Sequence, residues 1–156
     1  MADNYEQKPR EDALKFLQDN RTMVVASVSD SGEPQASTVY YAVDDDFNFS
    51  FITSKGSRKC DNLTNNGRVA FVIGFGPRSI TVQGGGRALL MDSKDSEVFM
   101  EILRRNHLSS SLEWPVLELA KEGFCTFKIV PSWLVWLNFD SKEHLKASGD
   151  KFHKII

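Results

Sequence analysis

The densest chemistry in the chain lies in the run Phe51-Ile52-Thr53-Ser54-Lys55-Gly56-Ser57-Arg58-Lys59-Cys60-Asp61-Asn62-Leu63. Hydroxyls at Thr53, Ser54 and Ser57 are interleaved with cations at Lys55, Arg58 and Lys59. The pattern reads as the end of a strand, a polar turn with one glycine, and the start of a helix. A helix N-terminus carries unpaired N–H donors and partial positive charge. Arg58 and Lys59 add the fixed charge that would make such a terminus a phosphate seat. The same residues also suit a solvated strand–helix turn with no ligand, and residue types alone do not separate the two.

Other protein-borne chemistry is missing. There is no G-x-S-x-G nucleophile elbow. His107, His144 and His153 are scattered and lack metal-ligand spacing. His107 follows a predicted helix end, where a cation is a common structural feature. Cys60 sits beside Arg58 and Lys59, which would favour a thiolate; a buried bystander is the simpler reading. Asp44-Asp45-Asp46 lacks the alternating ligands and the glycine of a calcium loop, and reads as a solvated turn. Gly84-Gly85-Gly86 does not fit the dinucleotide pattern. Inside a strand it marks a bulge or a close backbone approach. A chain without its own catalyst often relies on a cofactor for the hard chemistry.

The totals narrow the partners. The chain has 156 residues, 41% hydrophobic and 26% charged, with a formal net charge of -2. That is the composition of one globular domain, 1–156, with a real core. Its mild acidity argues against nucleic acid as a partner, and a local cationic pocket then suits a small anion. Cys60 and Cys125 are far apart and in no metal-like spacing, which suggests a reducing compartment rather than a disulfide scaffold. Met1 to Glu11 is polar and charged, and no run approaches the roughly 18 apolar residues of a membrane span. The expectation is a cytoplasmic protein without a membrane partner.

The elements that must position the run follow from periodicity. A helix is predicted over 11–19, with Ala13, Phe16 and Leu17 on one face. Strands are predicted over 23–28, 35–43 and 47–53, the last alternating Phe47, Phe49 and Phe51 with polar residues. A short helix over 59–66 stops at Asn65-Asn66-Gly67. Strands follow over 68–75 and 79–91, separated by a turn at Gly74 to Pro77. Asp92-Ser93 caps a helix to about 106, with Val98, Phe99, Ile102 and Leu103 inward. Residues 108–121 divide at Trp114-Pro115, and a long strand over 124–139 bends at Pro131. Residues 1–9 and 141–156 read as flexible tails, the latter part of a charged segment from Asp140 onward. This order predicts a mainly β domain with peripheral helices, built on a six-stranded antiparallel barrel.

Thr53-Ser54-Lys55-Gly56-Ser57-Arg58-Lys59, with Asn62-Leu63 and Asn66-x-Arg68-Val69 after it, resembles the pyridoxamine 5′-phosphate oxidase-like family of FMN-binding split barrels. Gly32-x-Pro34 followed by a strand fits too, as do Arg78-x-Ile80 to Gln83 and Pro131-x-x-Leu134-x-Trp136. The likeness covers roughly residues 10–140. It implies that Ser57, Arg58 and Lys59, with Thr53 and Ser54, hold the flavin phosphate. It also implies that Ser37, Thr38 and Val39 run along the isoalloxazine, with Gln83 and Trp136 as further cofactor contacts. A homodimer with FMN at the interface, each site using both chains, comes with the family. Ser37 stands where the true oxidase has arginine, and the chain ends soon after Trp136 without that enzyme's Arg/His-containing substrate tail. The resemblance therefore points to the smaller, stress-protein-like branch. The expected function is FMN-dependent oxidoreduction of an undefined small molecule. The alternatives are a non-catalytic flavin sensor, or a relative that places the deazaflavin F420 or haem in the same barrel.

Overall fold

Period-two alternation builds the sheet. Strand β1 (Thr22–Val28) buries Met23, Val25 and Ser27 and leaves the residues between them half-exposed. The other strands are β2 (Pro34–Val43), β3 (Phe49–Ser54), β4 (Arg68–Ile73), β5 (Ile80–Met91), β6 (Phe124–Asn138) and β7 (His153–Lys154). Helices α1 (Asp3–Asp19), α2 (Arg58–Asn65) and α3 (Ser96–Arg105) are peripheral. In this computed structural model the described residues are 3–74, 80–92, 96–105, 123–138 and 152–156. The expectations for Phe75, the Gly76-Pro77 turn, Arg78, Ser79, Ser93, His107, Trp114-Pro115, Phe139, Asp140 and His144 lie outside them, as do the side chains of Phe99 and Leu103.

Strand order is β3-β2-β1-β4-β5-β6, all antiparallel, and β3 also pairs with β6, so six strands close into a barrel. The closing strand is β6. It pairs with β5 along its length, with β3 through Phe124 to Ile129, and with β7 at Val135 and Trp136. Tyr41, Phe47, Phe49, Phe51 and Phe127 are wholly buried in the barrel. Phe49 and Phe71 meet with ring centroids 4.6 Å apart, a tilted geometry that adds to area burial. The Tyr41 hydroxyl donates to the Leu17 carbonyl at 2.6 Å and ties α1 to the barrel; burial raises its pKa, so it stays protonated as the donor. On the outer side, Ile102 of α3 packs with Ala42 and Ile52.

Where the structure departs from the sequence reading, the causes are local. Helix α1 begins at Asp3 and takes in Pro9, at the loss of one internal N–H bond. Phe47 lies outside β3 with φ 63°, in the turn over which the Asp44 carboxylate accepts from the Asp46 and Asn48 N–H groups at 3.0 and 2.8 Å. That carboxylate is occupied by its own turn, and no cluster suited to a metal occurs among the described residues. Residues 152–156 return to the sheet as β7, and the Ile155 N–H donates to the Leu134 carbonyl at 2.8 Å. Ile155 and Ile156 pack against the core, which is why this end of the charged tail is not loose. The cysteines do not stand apart as free thiols: Cys60 and Cys125 form a disulfide, so Cys60 is neither a reactive thiol nor a bystander.

The glycine run combines both of its expected roles. The β5–β6 register shifts between Gly85 and Gly86, which is a bulge. Each glycine also accepts a close neighbour where a side chain would stand: the Phe71 ring at Gly84, the Trp133 indole at Gly85, and the backbone of 130–132 at Gly86.

Candidate functional site

Two strands part where the polar run begins. β2 pairs with β3 only at Tyr41–Phe51, Ala42–Ser50 and Val43–Phe49. Beyond this, β3 continues on β6 alone, and Pro34 to Tyr40 keep a strand partner only on the β1 side. Helix α2 sits at that end of the barrel, against β1, β3 and β5. Leu63 is its buried anchor, and the Asn62 amide donates to Ser27 Oγ at 3.3 Å and Gln35 Oε1 at 3.2 Å, reaching β1 and β2 together.

Ser57 is the N-cap of α2, with extended backbone, and its Oγ accepts from the Cys60 N–H at 3.2 Å. The same Oγ lies 3.1 Å from Thr53 Oγ1, and Lys59 Nζ donates to Thr53 Oγ1 at 3.2 Å. Thr53, Ser57 and Lys59 therefore converge. Ser54 adjoins them: its carbonyl accepts from the Ser57 N–H at 3.1 Å. Arg58 is exposed at the first helical position, free to swing to a ligand. Asp61, also in the first turn, is exposed and complements the helix dipole.

Burial holds the Lys59 ammonium below the ordinary lysine range, and no carboxylate among the described residues pairs with it. A desolvated cation beside two hydroxyls and a helix start fits a phosphomonoester. The sign of its pH dependence follows. A bound anion favours the charged ammonium, so binding takes up protons wherever free Lys59 is partly neutral. Phosphate affinity should fall as pH rises through the depressed Lys59 pKa toward the ordinary lysine value. Calorimetric titration at several alkaline pH values would show it, and Lys59→Met should flatten the dependence in that window.

The remaining predicted residues are distributed differently. Ser37, Thr38 and Val39 lie on the segment of β2 that faces the parting; Thr38 is exposed, Ser37 half-buried and Val39 buried in the core. Gln83 lies half-buried in the row Thr38–Val24–Val72–Gln83–Val135 across five strands. Three strand spacings, about 14 Å, separate it from Thr38. Trp136 is buried on the core side, its ring 5.1 Å from Phe16 of α1. One chain alone brings neither Gln83 nor Trp136 to the Thr53–Lys59 cluster. Sequence reasoning missed the parting of β2 from β3, the Asn62 bridge and the Cys60–Cys125 bond. Polar Ser27 inside a β1 core face was a signal for the second; spacing held none for the third.

Residues 9–129 match the sequence profile of the family described as pyridoxamine 5′-phosphate oxidase. No curated protein matches the chain. A candidate pyridoxamine 5′-phosphate oxidase from Listeria innocua superposes with a TM-score of 0.64 at 22% identity, covering 83% of this chain and 98% of that one. General Stress Protein 26 from Bacillus anthracis gives 0.62 at 19% identity, covering 81% and 92%. The haem storage protein HutZ from Vibrio cholerae gives 0.61 at 16% identity, covering 80% and 91%. At such identities the likeness is one of fold, and the barrel is common to all three. With most of its length inside the family profile, and with the closed six-stranded antiparallel barrel and its appended helices, the chain belongs to the pyridoxamine 5′-phosphate oxidase family.

Proposed function

We propose that the protein binds FMN and acts as an FMN-dependent oxidoreductase on a small molecule, as a cytoplasmic homodimer with the flavin at the subunit interface. The observation that carries this reading is the Thr53–Ser57–Lys59 cluster, where a desolvated ammonium without a carboxylate partner among the described residues meets a capped helix start. Ser57, Arg58 and Lys59 would hold the phosphate. The open side of β2 at Ser37, Thr38 and Val39 would offer backbone and hydroxyl groups to the ring edge. The flavin, when bound, supplies hydride or electron transfer; the chain binds, orients and shields it.

A second copy is supported by the outward sheet face. Its rows Ala36–Ala26–Ala70–Gly85–Trp133 and Thr38–Val24–Val72–Gln83–Val135 carry no charged side chain. Trp133 is 43% exposed there. An uncharged face with an aromatic anchor is what a subunit interface buries. Ser37, where the resemblance to the true oxidase expects arginine, favours a substrate other than pyridoxamine phosphate.

The absorbance spectrum of the purified protein tests this directly. A visible flavin band, a released chromophore with the mass of FMN, and reduction of the bound flavin by a nicotinamide under anaerobic conditions are expected. A bound flavin that no nicotinamide or other donor reduces would indicate a sensor, and a deazaflavin mass would indicate F420. A haem reading draws on the shared fold with HutZ. Haem needs an axial ligand. His153, the histidine among the described residues, pairs opposite Trp136, at the far end of β6 from Cys125. A Soret band instead of a flavin band would mark that reading.

A further inference from the structure

We propose that the Cys60–Cys125 bond sets the affinity of the Thr53–Lys59 seat, tight when the disulfide is formed and weak when it is reduced. The proposal rests on the reading of that seat as a phosphate site.

Four links close a frame around the seat. Thr53 pairs with Cys125 across the β3–β6 ladder. Cys125 is bonded to Cys60, with Cα atoms 6.4 Å apart. The Cys60 N–H donates to Ser57 Oγ at 3.2 Å, and Ser57 Oγ meets Thr53 Oγ1 at 3.1 Å. Lys59, next to Cys60, reaches back to Thr53. The disulfide is thus the covalent side of the frame that sets the distance from the first turn of α2 to β3. Helix α2 has 8 residues, too few to hold its shape without tertiary support. Its other ties, Leu63, Asn62 and Asn65, lie further along the helix and leave the first turn to the cap, the Lys59–Thr53 hydrogen bond and the disulfide. Breaking the bond frees the turn that carries Ser57, Arg58 and Lys59, so a phosphate must then also bear the cost of ordering it.

The step is thiol–disulfide exchange with a dithiol reductant. A reductant thiolate attacks one cystine sulfur and forms a mixed disulfide, and the released cysteine thiolate takes a proton. The reductant's second thiolate then displaces the remaining cysteine, which is also protonated. The net change is two electrons and two protons to the cystine, with the reductant left as its own disulfide. Cys60 is 5% and Cys125 7% exposed, so attack requires the first turn of α2 to lift, the movement that opens the seat. A bound phosphate opposes that movement. By linkage, if the disulfide tightens phosphate binding by some factor, phosphate favours the disulfide by the same factor.

The test compares wild-type protein, oxidised and then reduced with dithiothreitol, in FMN titrations read by flavin fluorescence, with inorganic phosphate as competitor. The reduced form should bind FMN about tenfold more weakly or worse, within the usual range of coupling between sites. In dithiothreitol redox buffers, saturating FMN should shift the Cys60–Cys125 equilibrium toward the disulfide by the same factor, read by thiol alkylation and mass spectrometry. The double variant Cys60→Ser/Cys125→Ser should match the reduced wild type; if it fails to fold, the two wild-type forms carry the comparison. Equal FMN affinity in the two forms overturns the proposal and leaves the phosphate reading intact. So does finding both cysteines free after oxidation. Failure of the oxidised protein to bind FMN or phosphate overturns the phosphate reading itself, and the proposal with it.

Discussion

Arg58→Ala/Lys59→Ala protein should leave purification colourless, with FMN affinity reduced a hundredfold or more. A hydrogen bond to a charged group contributes about 1.5–3 kcal/mol, so losing two costs roughly 3–6 kcal/mol, or about two to four orders of magnitude in Kd. The fold should persist. Arg58 is exposed, and when Lys59 is removed Thr53 Oγ1 still has Ser57 Oγ as a partner at 3.1 Å. A surface substitution such as Arg58→Ala changes stability by about 0.5 kcal/mol, and the hydrogen bond lost at half-buried Lys59 adds about 1 kcal/mol. Circular dichroism should therefore look like wild type and the urea midpoint should fall only modestly while the flavin band is gone. Undiminished flavin content in the double variant would remove the seat from the account of this protein.

Gly86→Ala should strongly destabilise the barrel. A Cβ there would fall on the Val130 carbonyl oxygen, the Pro131 Cα and the Ser132 nitrogen, all of them backbone. Side chains can turn away, but the backbone of the β6 bulge cannot without giving up ladder bonds to β5. Overpacking of this kind costs about 3 kcal/mol, a large share of a domain's usual stability. Gly56→Ala is the matched control, because nothing lies within 4 Å of its Cβ position. It should move the urea midpoint by an amount equivalent to about 0.5 kcal/mol or less. Equal midpoints for the two variants would show that β5 and β6 are not as close at the bulge as described.

Much of this was readable in the residues, because most of it is local. β-Rich composition, turn signals and the alternation over 47–53 placed β1 through β6, and Thr53–Lys59 announced its own strand–turn–helix shape, which brought Thr53, Ser57 and Lys59 together. The misreadings were long-range. Cys60 and Cys125 are 65 positions apart, and only the closure of β3 against β6 makes them neighbours. Ile155 and Ile156 look like the end of a polar tail until β6 presents Leu134 to them. Pro9 argues against a helix by propensity, yet α1 runs through it. Strand order also puts Gln83 on the outer face and Trp136 in the core, a placement that no single strand's pattern specifies.

The place of β6 in the barrel has a further consequence, for the order in which the protein is made. Until residues 124–129 emerge from the ribosome, β3 has no partner on one side and β5 is an unpaired edge. The proposed anion seat is synthesised early, but the strand that braces it, through the Thr53–Cys125 pair and the disulfide, comes from the last third of the chain. A nascent chain would thus carry every side chain of the proposed phosphate seat without the geometry to use them. On the proposed function, cofactor capture becomes a late event that reports barrel closure, and flavin uptake during synthesis would mark when the chain has finished folding.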